Sequence, residues 1–187
     1  MTEGTRSYLF GCHHFLMHPI QDIRGWWYEH GRWPCWWEII AIFCHDIGVC
    51  GRQYLSVPGA KAGHWRKGAN LARRIVRDVY RVKAWLLRRH RYTLSRLMAR
   101  AYGEEAYRLV AGHCPEESGY PRSNLFRPDK RCWVIAPMWW LWSNYYVEWC
   151  GKNVGVTPPP VWKELCRKNL ETENPIGNHE LYEKHKK

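Results

Sequence analysis

The chain has 187 residues, a length that corresponds to one domain able to bury a sizeable core. Hydrophobic residues make up 45% and aromatic residues 15%, so the composition excludes an intrinsically disordered chain. Lysine and arginine outnumber aspartate and glutamate by 29 to 17. The resulting net charge of +12 favours phosphate-bearing partners.

The longest apolar stretches, residues 36–44 and 132–142, are shorter than the roughly 20 residues that cross a bilayer. No apolar segment with a small-residue cleavage site follows the first residues. The sequence therefore predicts no membrane span and a cytoplasmic location. Its eight cysteines contain no CxxC pair, which argues against a zinc knuckle or a disulfide framework and favours reduced, mostly buried thiols.

Helical patterning dominates the chain, and glycine and proline interrupt it at residues 31–34, 57–63, 114–121 and 158–160. Helices are predicted over residues 36–46, 67–100, 104–113 and 133–150. Period-2 alternation is scarce, so the predicted fold class is all-α.

We expect a domain over residues 1–160 and a tail over 161–187. The tail contains a candidate helix at 161–169 and a polar end at 174–187 that we expect to be mobile.

The most informative segment is WEIIAIFCHDIGVCG, residues 37–51, in which an apolar helix ends in His45 and Asp46 before a glycine turn. Burying an imidazole beside a carboxylate is costly unless a further group compensates, and a divalent cation does so directly. A His-Asp dipeptide alone is weak evidence. Further candidates stand near the edges of predicted helices: His18 in HPIQDI, His64 in AGHWRKGA, His113 in VAGHCPE and Asp129 in RPDKRC.

These residues, in the order His18, His45-Asp46, His64, His113 and Asp129, resemble the six-ligand, two-metal branch of the HD-domain metallohydrolase superfamily. The nearest resemblance, over about residues 8–145, is to small HD-domain proteins of phages and prophages. Those proteins show HP, HDIG, H with a downstream GA, GH and PDK in this order. The chain departs from them at Val49-Cys50-Gly51 and in its long basic helix.

The resemblance implies an HD-domain-like helical bundle in which the six residues hold two divalent ions, with Asp46 as the candidate bridging ligand. A nitrogen and oxygen ligand set suits iron or manganese and tolerates cobalt, nickel or zinc. The implied function is a phosphohydrolase, with His45 and Asp46 at the catalytic centre, in which metal-activated water attacks a nucleotide or a nucleotide-derived phosphoester.

Two alternatives stay open. One is a di-iron oxygenase, because the branch includes a few such enzymes. The other is a non-catalytic module that binds nucleotides or nucleic acid through its basic helix.

The candidate ligands also have ordinary structural explanations. His13 or His14, one turn before His18, could replace it as the ligand on the first helix. After a glycine-rich loop, His64 could simply be an exposed residue.

His113 could be a favourable cation at a helix C-terminus. Asp129 could cap the helix that follows it. The remaining histidines are expected at the surface: His30, His90, His179 and His185.

A basic segment from Arg73 to Arg100 contains ten lysines or arginines and a single acid, Asp78. Such runs are usually solvated, but nearly unopposed charge on a helix repels itself, and a polyanion would relieve the repulsion. Nucleic acid is therefore a second expected partner beside a phosphorylated small-molecule substrate.

Three cations adjoin the proposed ligands and are candidate phosphate-binding residues: Arg66, Lys67 and Lys130. Most of the paired tryptophans at 26–27, 36–37 and 139–140 are expected in the core, although they could also stack on bases.

Overall fold

A computed structural model describes residues 3–49, 62–86, 92–148 and 157–185. Regular structure in these ranges is entirely helical, which confirms the predicted all-α fold class. The helices are α1 Glu3–His30, α2 Trp36–Cys44, α3 His64–Leu86, α4 Tyr92–Ala111, α5 Pro115–Ser118, α6 Phe126–Ile135, α7 Met138–Glu148, α8 Pro159–Glu171 and α9 Asn178–His185. Among the described residues, none of the helices has the length and apolar character to span a membrane.

Contacts between the helices divide the chain into two compact units. The first unit comprises Met1–Trp33, Val49–Ala62 and Phe126–Lys187, and the second comprises Pro34–Gly48 and Gly63–Leu125.

In the first unit, α1 packs against α6 and α7, and α8 packs against α6, α7 and α9. Its aromatic core includes Trp133, Trp140 and Trp162. The end of α1 is fixed to α6 by Glu29, whose two carboxylate oxygens each accept a hydrogen bond at 2.6 Å, from Arg127 and Arg131. Burial raises the pKa of Glu29, but the two guanidinium groups outweigh it and lower that pKa below its usual value.

The C-terminal segment is more ordered than the sequence predicts. The helix expected at 161–169 is confirmed as α8, but the expectation of a mobile end is wrong over α9. Leu181 and Tyr182 of α9 are buried in the core of the first unit. The Asn169 side chain holds the connection, since its amide donates to the carbonyl of Ile176 and accepts from the amide of the same residue, both at 2.9 Å.

In the second unit, α3 packs along α4, and α2 packs against both. The two long helices run antiparallel, because Trp65 at the start of α3 meets Tyr107, and Tyr80, further along α3, stacks on Tyr102, which lies earlier in α4. Small residues such as Ala69 and Ala72 are fully buried on α3 and allow this close approach.

Two predicted helices are each divided in the structure. The segment predicted as one helix over 67–100 is divided between α3, which ends at Leu86, and α4, which begins at Tyr92 and also contains the helix predicted from residue 104. The segment predicted over 133–150 breaks before α7 at Pro137, because proline lacks an N–H and disfavours helical geometry in the residue before it.

The expectation that most of the paired tryptophans lie in the core is wrong, because they divide between core and surface. Trp26 and Trp140 are fully buried, whereas their neighbours Trp27 and Trp139 are exposed. Adjacent residues on a helix point about 100° apart, so one member of a pair can enter the core while the other faces solvent.

Candidate metal centre

In the second unit, three buried histidines converge on the Asp46 carboxylate. Nε2 of His64 lies 3.1 Å and Nε2 of His113 lies 3.6 Å from Oδ1 of Asp46. The remaining carboxylate oxygen, Oδ2, lies 3.5 Å from Nε2 of His45. All four side chains are buried, and Asp46 is the most exposed of them at 8%.

Helix ends position these side chains. His45 and Asp46 follow the last residue of α2, His64 is the first residue of α3, and His113 follows α4. Because residues at helix ends leave the regular hydrogen-bonded ladder, their side chains can turn towards a shared point.

Two glycines allow the backbones around this point to approach closely. A Cβ on Gly68 would collide with the carbonyl oxygens of Cys44 and His45, and one on Gly48 would collide with the backbone of His64. Because Gly48 of HDIG and Gly68 of the downstream GA motif lack a Cβ, the end of α2 can lie directly against the start of α3.

The opposite ring nitrogen of each of these histidines has its own partner. Nδ1–H of His45 donates to the carbonyl of Ile42, and that of His113 donates to the carbonyl of Val110. Nδ1 of His64 lies 3.4 Å from a carboxylate oxygen of Glu117. A backbone carbonyl can only accept a hydrogen bond, so the proton of a neutral His45 or His113 ring resides on Nδ1. His64 has a carboxylate oxygen beside each of its two ring nitrogens.

In His45 and His113 this tautomer directs the Nε2 lone pair towards the Asp46 carboxylate. Nε2 of His64 and Nε2 of His113 are 3.2 Å apart. Lone pairs and a negative charge at such distances repel unless a proton or a metal ion lies among them. Burial lowers the pKa of His113, but Cys114 and the Asp46 carboxylate raise it by more. The pKa of His113 therefore lies well above its ordinary value.

A second buried cluster lies in the first unit, between α1 and α6. Nε2 of His18 lies 3.2 Å from Oδ1 of Asp129 and 3.6 Å from Oδ2 of Asp22. The sulfur of Cys132 lies 3.6 Å from Nδ1 of His18 and donates to the carbonyl of Asp129. Ligand atoms of these four residues lie within 4.8 Å of one another, a spacing that a metal ion can bridge.

Acidic side chains predominate in this cluster. Burial, followed by the charges of Asp22 and Asp129, raises the pKa of the Cys132 thiol well above its ordinary value. Asp129 lies inside the first turn of α6, which begins at Phe126, so the alternative that it caps this helix does not hold. Its Oδ2 accepts a hydrogen bond of 3.2 Å from Asn178 and lies 3.7 Å from Nζ of Lys130.

Within each unit the structure brings predicted ligands together. The second unit gathers His45, Asp46, His64 and His113, and the first unit gathers His18 and Asp129. The structure does not describe the side chains of His13 and His14. Three whole residues also lie outside the described ranges: Cys50, Gly51 and His90.

The predicted phosphate-binding residues lie in different environments. Arg66 and Lys67 are exposed in the first turn of α3. Lys130 is 1% exposed, and its Nζ lies 3.6 Å from the centre of the Phe126 ring.

Sequence reasoning missed four residues that contact the predicted ligands: Asp22, Glu117, Cys132 and Asn178. Spacing could have found two of them, because Asp22 is four residues after His18 and Cys132 is three residues after Asp129, and both separations share a helix face. Glu117 and Asn178 follow breaks in the chain and carry no such signal.

Comparisons with models of known families, with curated proteins and with solved structures return no match for the chain.

Proposed function

We propose that the chain is a metal-dependent phosphohydrolase of the HD type, acting on a nucleotide or a nucleotide-derived phosphoester. The observation that carries the proposal is the convergence of three Nε2 atoms on Asp46, with each Nδ1 facing a hydrogen-bond acceptor. Metal-binding histidines have this arrangement, because the outer partner orients the ring and fixes the tautomer that leaves Nε2 available to the ion.

The residues present fit divalent transition metals. The second unit supplies three imidazoles and a carboxylate, and the first supplies an imidazole, two carboxylates and a thiol. Imidazole and carboxylate donors suit iron or manganese and accept cobalt, nickel or zinc. These donors include all six ligands expected from the HD pattern: His18 and Asp129 in the first unit, and His45, Asp46, His64 and His113 in the second.

When bound, two such ions supply an acidified water and neutralise the charge of a phosphoryl group. The side chains of the second unit hold their rings in place before substrate arrives, so little reorganisation is needed during the reaction. Arg66 and Lys67, exposed in the first turn of α3 directly after His64, would orient an incoming phosphate.

The test combines metal analysis with a phosphate-release screen over nucleoside polyphosphates, dinucleotides, cyclic nucleotides and phosphomonoesters. We expect about two transition-metal ions per chain after expression with iron and manganese supplied, and release of phosphate from at least one class. His113→Ala and Asp46→Ala should lower both metal content and turnover. His185→Ala, which removes an exposed histidine of α9, is the matched control and should change neither.

Two outcomes would contradict the proposed function. Protein without transition metal would overturn the site itself. Metal-loaded protein that consumes oxygen and releases no phosphate from any substrate class would replace the hydrolase with an oxygenase.

A further inference from the structure

Arginines of two helices share one depression on the second unit. It has a volume of about 760 Å³, and its lining includes Arg77 and Arg81 of α3 and Arg96 and Arg100 of α4. We call this depression the arginine groove. A neighbouring depression of about 220 Å³ on α3 shares Arg77 and Arg81, and its lining also includes Arg73 and Arg74.

The four arginines of α3 outnumber their acidic partners. Asp78 pairs with Arg81 at 2.9 Å and with Arg74 at 3.8 Å. Glu104 pairs with Arg77 and with Arg73.

Among the described residues, Arg100 has no acidic partner. The four arginines of α3 thus share two carboxylates, and the excess positive charge is concentrated on one surface, where an anionic ligand would relieve the repulsion.

We propose that the arginine groove binds the phosphate backbone of single-stranded nucleic acid. Guanidinium groups bind phosphate through paired hydrogen bonds, and the side chain of Thr93 in the groove adds a hydroxyl. The α3 arginines from 73 to 81 extend over about 12 Å of helix, which exceeds the reach of a single phosphate. Trp85, one turn beyond Arg81 and 77% exposed, offers an indole ring on which a base can stack.

The size and place of the groove define the ligand further. A volume of this order is that of a ligand-sized depression, and it accepts one strand lying between two helices. Arg77 lies about 20 Å along α3 from His64, so a mononucleotide held at the histidines of the second unit cannot also fill the groove. The proposal is therefore independent of metal chemistry, and a strand longer than one nucleotide is its natural ligand.

The experiment measures fluorescence anisotropy of a labelled 20-nucleotide single strand, as DNA and as RNA, over a series of salt concentrations. We expect binding that persists in chelator. The double variant Arg96→Gln/Arg100→Gln should weaken it roughly tenfold at low salt and reduce the slope of log affinity against log salt by about 1.4, since each lost phosphate contact contributes about 0.7 for single strands.

A matched double variant, Arg108→Gln/Arg167→Gln, removes the same charge from exposed positions outside the groove and should leave affinity and slope nearly unchanged. Thermal unfolding of both variants verifies that they fold. An equal loss in the two double variants would overturn the proposal in favour of diffuse attraction. Binding to phosphatidylserine vesicles but not to either strand would assign the groove to an anionic membrane instead.

Discussion

The predicted ligand histidines share one arrangement at the level of single residues. In all four, Nε2 faces a carboxylate, and Nδ1 faces a second group: a backbone carbonyl for His45 and His113, the Glu117 carboxylate for His64, and the Cys132 sulfur for His18. A core histidine needs partners for its two nitrogens, but it does not need other histidines with the same orientation around a common carboxylate. This repetition is what favours a metal site over a set of buried polar residues.

Glu117 offers the sharpest test of that arrangement, because it orients His64 without being one of the predicted ligands. We expect Glu117→Ala to weaken metal binding by the second unit about 10- to 100-fold, the usual effect of removing such an outer partner. Competition with a chromophoric chelator measures the affinity.

Glu116→Ala removes a neighbouring exposed carboxylate and serves as the control. If both variants lost affinity equally, Glu117 would act only through general electrostatics.

Helix packing, rather than the ligands alone, brings the histidines of the second unit together. Gly68 of α3 lies against the last turn of α2, and an added Cβ would lie 2.8 Å from the carbonyl oxygen of His45 and closer still to that of Cys44. Both obstacles are backbone atoms, so the helices would have to move apart. We expect Gly68→Ala to destabilise the protein by about 1–3 kcal/mol and to lower metal content.

Gly103→Ala is the matched control for this substitution. Its added Cβ would lie 2.8 Å from Cγ of Arg77 and 3.3 Å from the backbone oxygen of Arg73, so a side chain rather than two backbone carbonyls is the main obstacle. Alanine is also the better helix former by about 1 kcal/mol. Urea denaturation compares the two variants. Equal stability of the two would contradict the close approach of α2 and α3.

The sequence predicts the helices better than it predicts their buried faces. The helical spacing of the apolar residues Leu71, Ile75 and Val79 indicates a helix, and α3 is observed there. However, Val79 is 41% exposed, and the fully buried positions nearby are Ala72 and Val76. Periodicity counts large apolar residues, whereas the tight packing of α3 on α4 selects small ones. The covering helix, which decides the buried face, is invisible to a local pattern.

The same limit applies to the candidate site. His45 and Asp46 are evident from the chain because they end an apolar helix and precede a glycine. Asn178 is not evident, because its contact with Asp129 depends on the folding back of α9, a long-range packing event without a local signal. For the same reason the polar end predicted to be mobile contains a packed helix.

The whole molecule should respond to metal through its stability, because each unit buries carboxylates whose charge an ion compensates. A ligand that binds only the folded state at 100 times its dissociation constant adds about 2.7 kcal/mol. In a protein of this size that corresponds to a rise in Tm of roughly 5–10 °C. We expect manganese to raise Tm by this amount in scanning fluorimetry and a chelator to reverse it.

Variants of the two clusters separate their contributions. Asp46→Asn keeps the size of the side chain but removes the charge shared by His45, His64 and His113, and Asp22→Asn does the same beside His18. Each variant should retain only part of the rise in Tm, and the double variant should lose it. A full rise in the double variant would show that manganese stabilises the chain elsewhere, and neither cluster would then be its site.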